Sequence, residues 1–162
     1  MSEAPRVFVG LGANLGDAAA QVRGALVQLA ALPATRVVAA SSLYRSEPVD
    51  AQGPDYVNAV AELRTTLEPA ALLAQLQALE LRFGRERTYR NAPRTLDLDL
   101  LVFGDHCIAT PTLTLPHPRM HERAFVLAPL AELAPTWCLA DGRTVAAALA
   151  AVSNQRLERM AR

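Results

Sequence analysis

The sequence predicts an α+β fold of the ferredoxin-like type: a βαββαβ core with an antiparallel sheet, followed by extra C-terminal short strands and helices. Three observations carry this. Stretches of period-two alternation and stretches of helical spacing follow one another in that order along residues 6–104. The breaks between them fall at glycine and proline. At 162 residues, 51% of them hydrophobic, the chain is long enough to bury a core and fits one domain spanning residues 1–162.

The first strand is RVFVGLG, residues 6–12, β-branched and apolar and closed by glycines. DAAAQVRGALVQLAAL, residues 17–32, repeats apolar residues at helical spacing until Pro33 stops it. TRVVAASSLYRSEP, residues 35–48, is strand-like up to a polar loop containing proline. YVNAVAELRTTL, residues 56–67, alternates Val57, Ala59, Ala61 and Leu63 with Tyr56, Asn58, Val60 and Glu62. These two strands are joined by a loop of about ten residues. Pro69 suits a first helical turn, and leucines at 72, 73, 76 and 79 build a second helix that ends at Gly84. RERTYRNAPR, residues 85–94, has no period and is read as a loop before the strand TLDLDLLVFG. CIATPTLTLPHP suggests a short strand pair, and ERAFVLAPLAEL and RTVAAALAAV read as helices separated by Pro135 and the turn ADG. This tail is expected to pack on the same core.

Sixteen basic residues balance sixteen acidic ones, which argues against a general polyanion-binding surface and so against nucleic acid as a partner. All sixteen basic residues are arginine. A phosphate loop of the Walker type, a Schiff base and a lysine general base are therefore excluded. The absence is global rather than placed, which marks it as genomic composition. Cys107 and Cys138 lack the partners a zinc site needs and are read as two thiols. The opening MSEAPRVFVG has neither the basic start nor the apolar run of a signal peptide, and no stretch reaches membrane-spanning length. A cytoplasmic protein is expected, with no membrane contact.

Within APRTLDLDLLVFGD, residues 92–105, Asp97 and Asp99 share one face of a strand while Leu96, Leu98, Leu100 and Val102 share the other. Their α-carbons stand roughly 6.5 to 7 Å apart, a spacing that grips one cation or bridges two. Carboxylate oxygens favour magnesium, which takes one or two carboxylates and leaves its other positions to water and phosphate. The competing reading is the polar face of an edge strand, salt-bridged to arginines. Arg82, Arg85, Arg87, Arg90 and Arg94 lie just upstream, and guanidinium forks match phosphate oxygens. Cations beside a carboxylate pair complement a magnesium triphosphate.

Downstream, His117, Arg119, His121 and Arg123 share a short loop between prolines and offer further phosphate contacts; His106 and His121 are read as structural. The run Gly10 to Gly16 follows a strand and opens a helix, yet its third glycine is one residue late for a dinucleotide fingerprint, and no parallel strand–helix units follow. Its glycines either let backbone approach a ligand or make the turn. Tyr56 and Asn58 share a strand face, where a flat heterocycle could stack on the ring and bond to the amide; alternatively they are a packing pair.

Several motifs in one order carry a resemblance. Residues 90–101, RNAPRTLDLDLL, are joined by Gly12-Ala13-Asn14-Leu15, Tyr44-Arg45-Ser46-Glu47-Pro48, Pro54-Asp55-Tyr56-Val57-Asn58-Ala59, and Leu115-Pro116-His117 with Arg123 and Phe125. From about Val7 to Pro135 the chain resembles the hydroxymethyl-dihydropterin pyrophosphokinases of folate synthesis. The resemblance implies transfer of pyrophosphate from ATP to the hydroxymethyl group of a reduced pterin, with release of AMP. It implies that Asp97 and Asp99 hold two Mg²⁺ ions, and that Arg85 and Arg94 act on the transferring group with Arg87 assisting. Gln77, Glu80, Leu100, Thr114, His117 and Arg123 would line the ATP site. Tyr56 and Phe125 would sandwich the pterin, whose edge Asn58 and the backbone of Ser46 and Val49 would read. The partners are small molecules and the expected state is a monomer. Departures from the family pattern are Asn91 and Ala92 ahead of Pro93-Arg94, Pro118 after His117, and Ala13.

Two rival readings differ in class. A palm-type nucleotidyl transferase uses the same sheet with paired aspartates, but would need a basic face for its polymer. A ferredoxin-like sensor domain would need no magnesium and would keep its ligand affinity after Asp97→Ala.

Overall fold

The computed structural model describes residues 5–47, 55–83 and 96–160. Its main sheet is built around two strands, β1 (Val7–Ala13) and the ten-residue β4 (Tyr56–Thr65), paired antiparallel from Val7↔Leu63 to Ala13↔Val57. On the far side of β1 lies β5 (Asp97–Phe103), also antiparallel. The other edge of β4 is shared by β2 (Thr35–Ala40) and β3 (Tyr44–Ser46). Between those two, Ser41 holds the ladder together, since its N–H donates to Val60 O and its hydroxyl accepts the Val60 N–H, both at 2.9 Å. The span expected as one strand is therefore two. A short terminal strand, β8 (Glu158–Arg159), joins the outer edge of β3. The expected strand pair is present as β6 (Ile108–Ala109) and β7 (Thr114–Leu115).

Helices α1 (Ala18–Ala30) and α2 (Pro69–Phe83) cover one face of the sheet. Asp17 caps α1 by accepting the Ala20 N–H at 3.1 Å, and Gly16, with φ of 60°, makes the turn into it. Val22, Ala25 and Leu29 of α1 and Leu72, Leu76 and Leu79 of α2 meet the odd-numbered residues of β1 and β4 in a fully buried core.

The tail divides between the two faces: Leu115 of β7 belongs to that core, and Ile108, Leu113 and Met160 pack against it. Helices α3 (Ala124–Leu133) and α4 (Val145–Ala151) lie on the opposite face, where Phe8, Val60, Leu101 and Val102 meet Val126, Leu127, Leu130, Val145 and Ala148 in a second core. Apolar side chains on both faces demand cover on both, and the tail provides the second layer. Val102 belongs to this second core, and not with Leu96, Leu98 and Leu100. The register slips at one point, where Phe8 pairs with Val102 but Val9 pairs with Leu100, leaving Leu101 as the extra residue of a bulge. One inserted residue inverts the alternation beyond it.

Glu62, 5% exposed, lies on this second face and is held by Arg6 Nε at 2.9 Å, Arg6 Nη2 at 3.1 Å and Arg64 Nη1 at 2.7 Å. The Arg6 guanidinium also lies 5.2 Å from the Phe8 ring centre and 5.5 Å from that of Trp137, and the two rings meet edge to face at 5.4 Å. Among the described residues no helix is long and apolar enough to cross a membrane.

Candidate active site

The second face is covered by α3 and α4 over only part of its length. At the uncovered end the residues run in rows across three strands, Asn58–Gly12–Asp97 and Val60–Gly10–Asp99. Glycines occupy the middle of both rows, so the central strand is bare between an amide on one side and carboxylates on the other. These two glycines lie within β1, and the turn into α1 belongs to Gly16. A Cβ on Gly12 would stand 2.8 Å from Asn58 Nδ2, so no larger residue leaves that amide in place.

This bare floor opens into a cavity of about 790 Å³. It is lined by Ser46, Glu47 and Tyr56, by the start of α3 from Arg123 to Val126, and by the tail residues Gln155, Arg156 and Leu157. Asn58 is buried on the floor, and among the described residues its Oδ1 has no hydrogen-bond partner, while Nδ2 makes a long contact of 3.5 Å to Leu11 O. A buried, unanswered carbonyl oxygen is expensive to keep without a ligand. Tyr56, 37% exposed, stands at the mouth.

Asp97 and Asp99 are both exposed and line the same cavity. Their strand is the sheet edge, and the outward N–H of Leu98 between them donates to Glu80 Oε2 at 2.8 Å, so α2 holds the carboxylate-bearing backbone in register. Beside them His117 is half-buried. Its N–H donates to Leu101 O at 2.8 Å, and its Nδ1 accepts the Arg119 N–H at 3.1 Å, which places the ring proton on Nε2. Burial lowers its pKa, Asp99 opposes that, and Arg123 and Arg119 reinforce the lowering, which favours the neutral ring.

The cavity thus gathers Ser46, Tyr56, Asn58, Asp97, Asp99, Arg123 and Phe125 from the residues singled out in the sequence. Gln77 is exposed on α2, Thr114 is exposed on β7, Glu80 stands at the far edge of β5, and Leu100 is buried in the first core; none of these four lines the cavity. Val49, Arg85, Arg87 and Arg94 lie outside the described residues. Sequence reasoning passed over Gln155, Arg156 and Leu157, which have no periodic pattern and come to the site through the β3–β8 pairing and the bonds of Gln155 to the head of α3.

The description 7,8-dihydro-6-hydroxymethylpterin-pyrophosphokinase (HPPK) matches residues 8–135. The chain belongs to the HPPK family. It is 49% identical over 156 residues to the 2-amino-4-hydroxy-6-hydroxymethyldihydropteridine pyrophosphokinase of Pseudomonas aeruginosa, covering 96% of each chain. Relatives of the same name in Methylorubrum extorquens and Bacillus subtilis are both 42% identical, over 96% and 78% of this chain and 98% and 76% of theirs. Two solved structures share the HPPK fold. One, titled as HPPK-DHPS in complex with substrates, superposes with a TM-score of 0.73 at 10% identity, over 93% of this chain and 43% of that one. The other, HPPK-DHPS of Plasmodium falciparum, gives 0.75 at 13%, over 92% and 44%.

Among the described residues no group of three or more metal-binding side chains exists, and Asp97 and Asp99 are the carboxylates that share one face of β5 at the cavity. Two carboxylates with open surroundings suit Mg²⁺, which keeps several positions for water and phosphate oxygens; a closed zinc site needs more protein ligands.

Proposed function

We propose that this cavity is where ATP passes its pyrophosphoryl group to the hydroxymethyl oxygen of 6-hydroxymethyl-7,8-dihydropterin, releasing AMP, a step of folate biosynthesis. The reading is carried by one row of the sheet, in which the unanswered Oδ1 of Asn58 and the Asp97 carboxylate flank the bare backbone of Gly12. A pterin offers ring and amino N–H groups along one edge, and Asn58 Oδ1 is an acceptor waiting for such a donor. Its flat ring would stack between Tyr56 and Phe125, which both line the cavity, with the backbone of Ser46 and Val49 reading the edge. The hydroxymethyl arm then points along the row toward Asp97.

Asp97 and Asp99 would hold two Mg²⁺ ions. When bound, these neutralise phosphate charge and favour in-line transfer. Arg123, at the cavity wall, and His117, through its Nε2–H, supply phosphate contacts, with Gln77, Leu100 and Thr114 on the nucleotide side. Glu80 acts through the Leu98 N–H it holds. Arg85, Arg94 and Arg87 act on the transferring group, which needs positioning and charge neutralisation more than covalent help. The working unit is a monomer in the cytoplasm, acting on small molecules.

The test is AMP release from ATP and Mg²⁺ with and without the pterin. We expect release that depends on the pterin and falls at least about a hundredfold in Asp97→Asn and Asp99→Asn, since disturbing even indirect support of a metal ligand costs 10- to 100-fold. Undiminished turnover in both variants would remove the carboxylates from the reaction.

A further inference from the structure

We propose that Gln155, in the tail beyond the last helix, is a positioning residue for the substrate site: its side-chain amide clamps the chain on both sides of Arg123 and so sets Arg123 and Phe125. Gln155 Nε2 donates to Glu122 O at 2.8 Å, and Gln155 Oε1 accepts the Ala124 N–H at 2.9 Å. One planar amide thereby answers the carbonyl before Arg123 and the N–H after it.

The need for this clamp follows from the residue at the head of α3. The position before the first helical turn favours Ser, Thr, Asp or Asn, whose oxygen accepts an exposed N–H. Here that position is Arg123, whose side chain is donor-only and makes no capping bond. The first N–H of the helix, that of Ala124, is answered instead by Gln155, 31 positions further along the chain. Arg123 is released from capping, and its guanidinium lies 5.5 Å from the Phe125 ring centre inside the cavity.

Gln155 is itself fixed from the other side. Beyond it, β8 pairs with β3 at Arg45↔Glu158 and Tyr44↔Arg159, and the Met160 N–H donates to Leu43 O at 2.9 Å. The strand bearing Ser46 and the helix bearing Phe125 are thus tied together by the tail, across the cavity that separates them.

This inference rests on the proposed roles of Arg123 and Phe125, so the experiment separates the two. In steady-state assays with ATP, Mg²⁺ and hydroxymethyl-dihydropterin, Gln155→Ala should raise the pterin KM about fivefold, the scale of a lost cap, with kcat less affected and the melting temperature lowered by only about 2–4 °C. Combined with Phe125→Ala, it should add little further, because a residue that acts only through another loses its effect when that other is gone. A wild-type KM in Gln155→Ala, or the same fold-increase with and without Phe125, would overturn the clamp. Should Gln155→Ala fold poorly, Gln155→Glu keeps the oxygen that accepts from Ala124 and carries the same test. If Phe125→Ala itself leaves the KM unchanged, the stacking role has failed and not the clamp alone.

Discussion

Asn58 is where function and stability part company. A buried amide with an unpartnered oxygen lowers stability unless something binds it, and a side chain kept in that state implies a ligand. Asn58→Leu should therefore leave the unfolding free energy within about 1 kcal/mol of wild type, or raise it, because removing an unsatisfied polar group can be neutral or stabilising. The same variant should raise the pterin KM about tenfold or more, the discrimination a buried hydrogen bond gives. Urea unfolding beside steady-state kinetics checks both halves. Gly12 constrains this residue from the next strand, and Gly12→Ala would push the amide aside with the same kinetic signature. The pattern of even-numbered residues on β4 made Tyr56 and Asn58 legible as one face. That the face opens into a cavity was not legible, because it depends on glycines of β1, three strands away in sequence but adjacent in the sheet.

At the scale of elements, β5 and α3 are each secured by a carboxylate that bridges to another element. The Leu98 N–H on the open edge of β5 rests on Glu80, and Glu80→Ala should cost about 1.5–3 kcal/mol, the range for a hydrogen bond to a charged group. It should also lower turnover, since Asp97 and Asp99 flank that N–H. A variant that loses stability but keeps wild-type turnover would separate the edge from the site. Helix α3 is anchored by Glu132, which accepts the Ser42 N–H at 3.0 Å and the Tyr44 hydroxyl. Burial, the Glu132 hydrogen bond and its charge raise the Tyr44 pKa from 10 to about 12. A group whose folded pKa is raised contributes stability that is complete below pH 10 and is lost as pH climbs toward 12. Ultraviolet titration of the phenolates should find one of the three tyrosines ionising near pH 12, and Tyr44→Phe should remove that component. The strands and helices themselves were largely readable, because alternation and helical spacing are local. The bulge at Leu101 was not, because it appears only when β5 is laid against β1.

The whole molecule is a sheet with a core on each face, and the two share β1 and β4. Neither layer can be exposed without stripping apolar residues from the other's scaffold, so unfolding should be a single cooperative step. Trp137, the only tryptophan, packs on Phe8 in the second core. Its fluorescence should change at the same midpoint as far-ultraviolet dichroism, and separate midpoints would show the tail melting alone. Acid should weaken the whole assembly through Glu62. Hydrogen bonding from Arg6 lowers its carboxyl pKa, burial opposes this, and Arg64 adds to the lowering. A depressed folded pKa means stability present above the ordinary value of 4.5 and lost as pH falls through the lowered one. Glu62→Gln should flatten that acid-side loss in unfolding measured from pH 6 to pH 3.

By itself the sequence determined the order of elements, the shared face of Asp97 and Asp99, and the family to which the motifs point. These follow from periodicity and from short contiguous motifs, which neighbours along the chain are enough to define. Only the tertiary structure decided that the tail's two helices cover the opposite face, that Gly10 and Gly12 lie between the amide and the carboxylates, and that Gln155 bonds the backbone on both sides of Arg123. Each of those depends on which strands lie side by side, and strand pairing brings together residues that no local pattern relates.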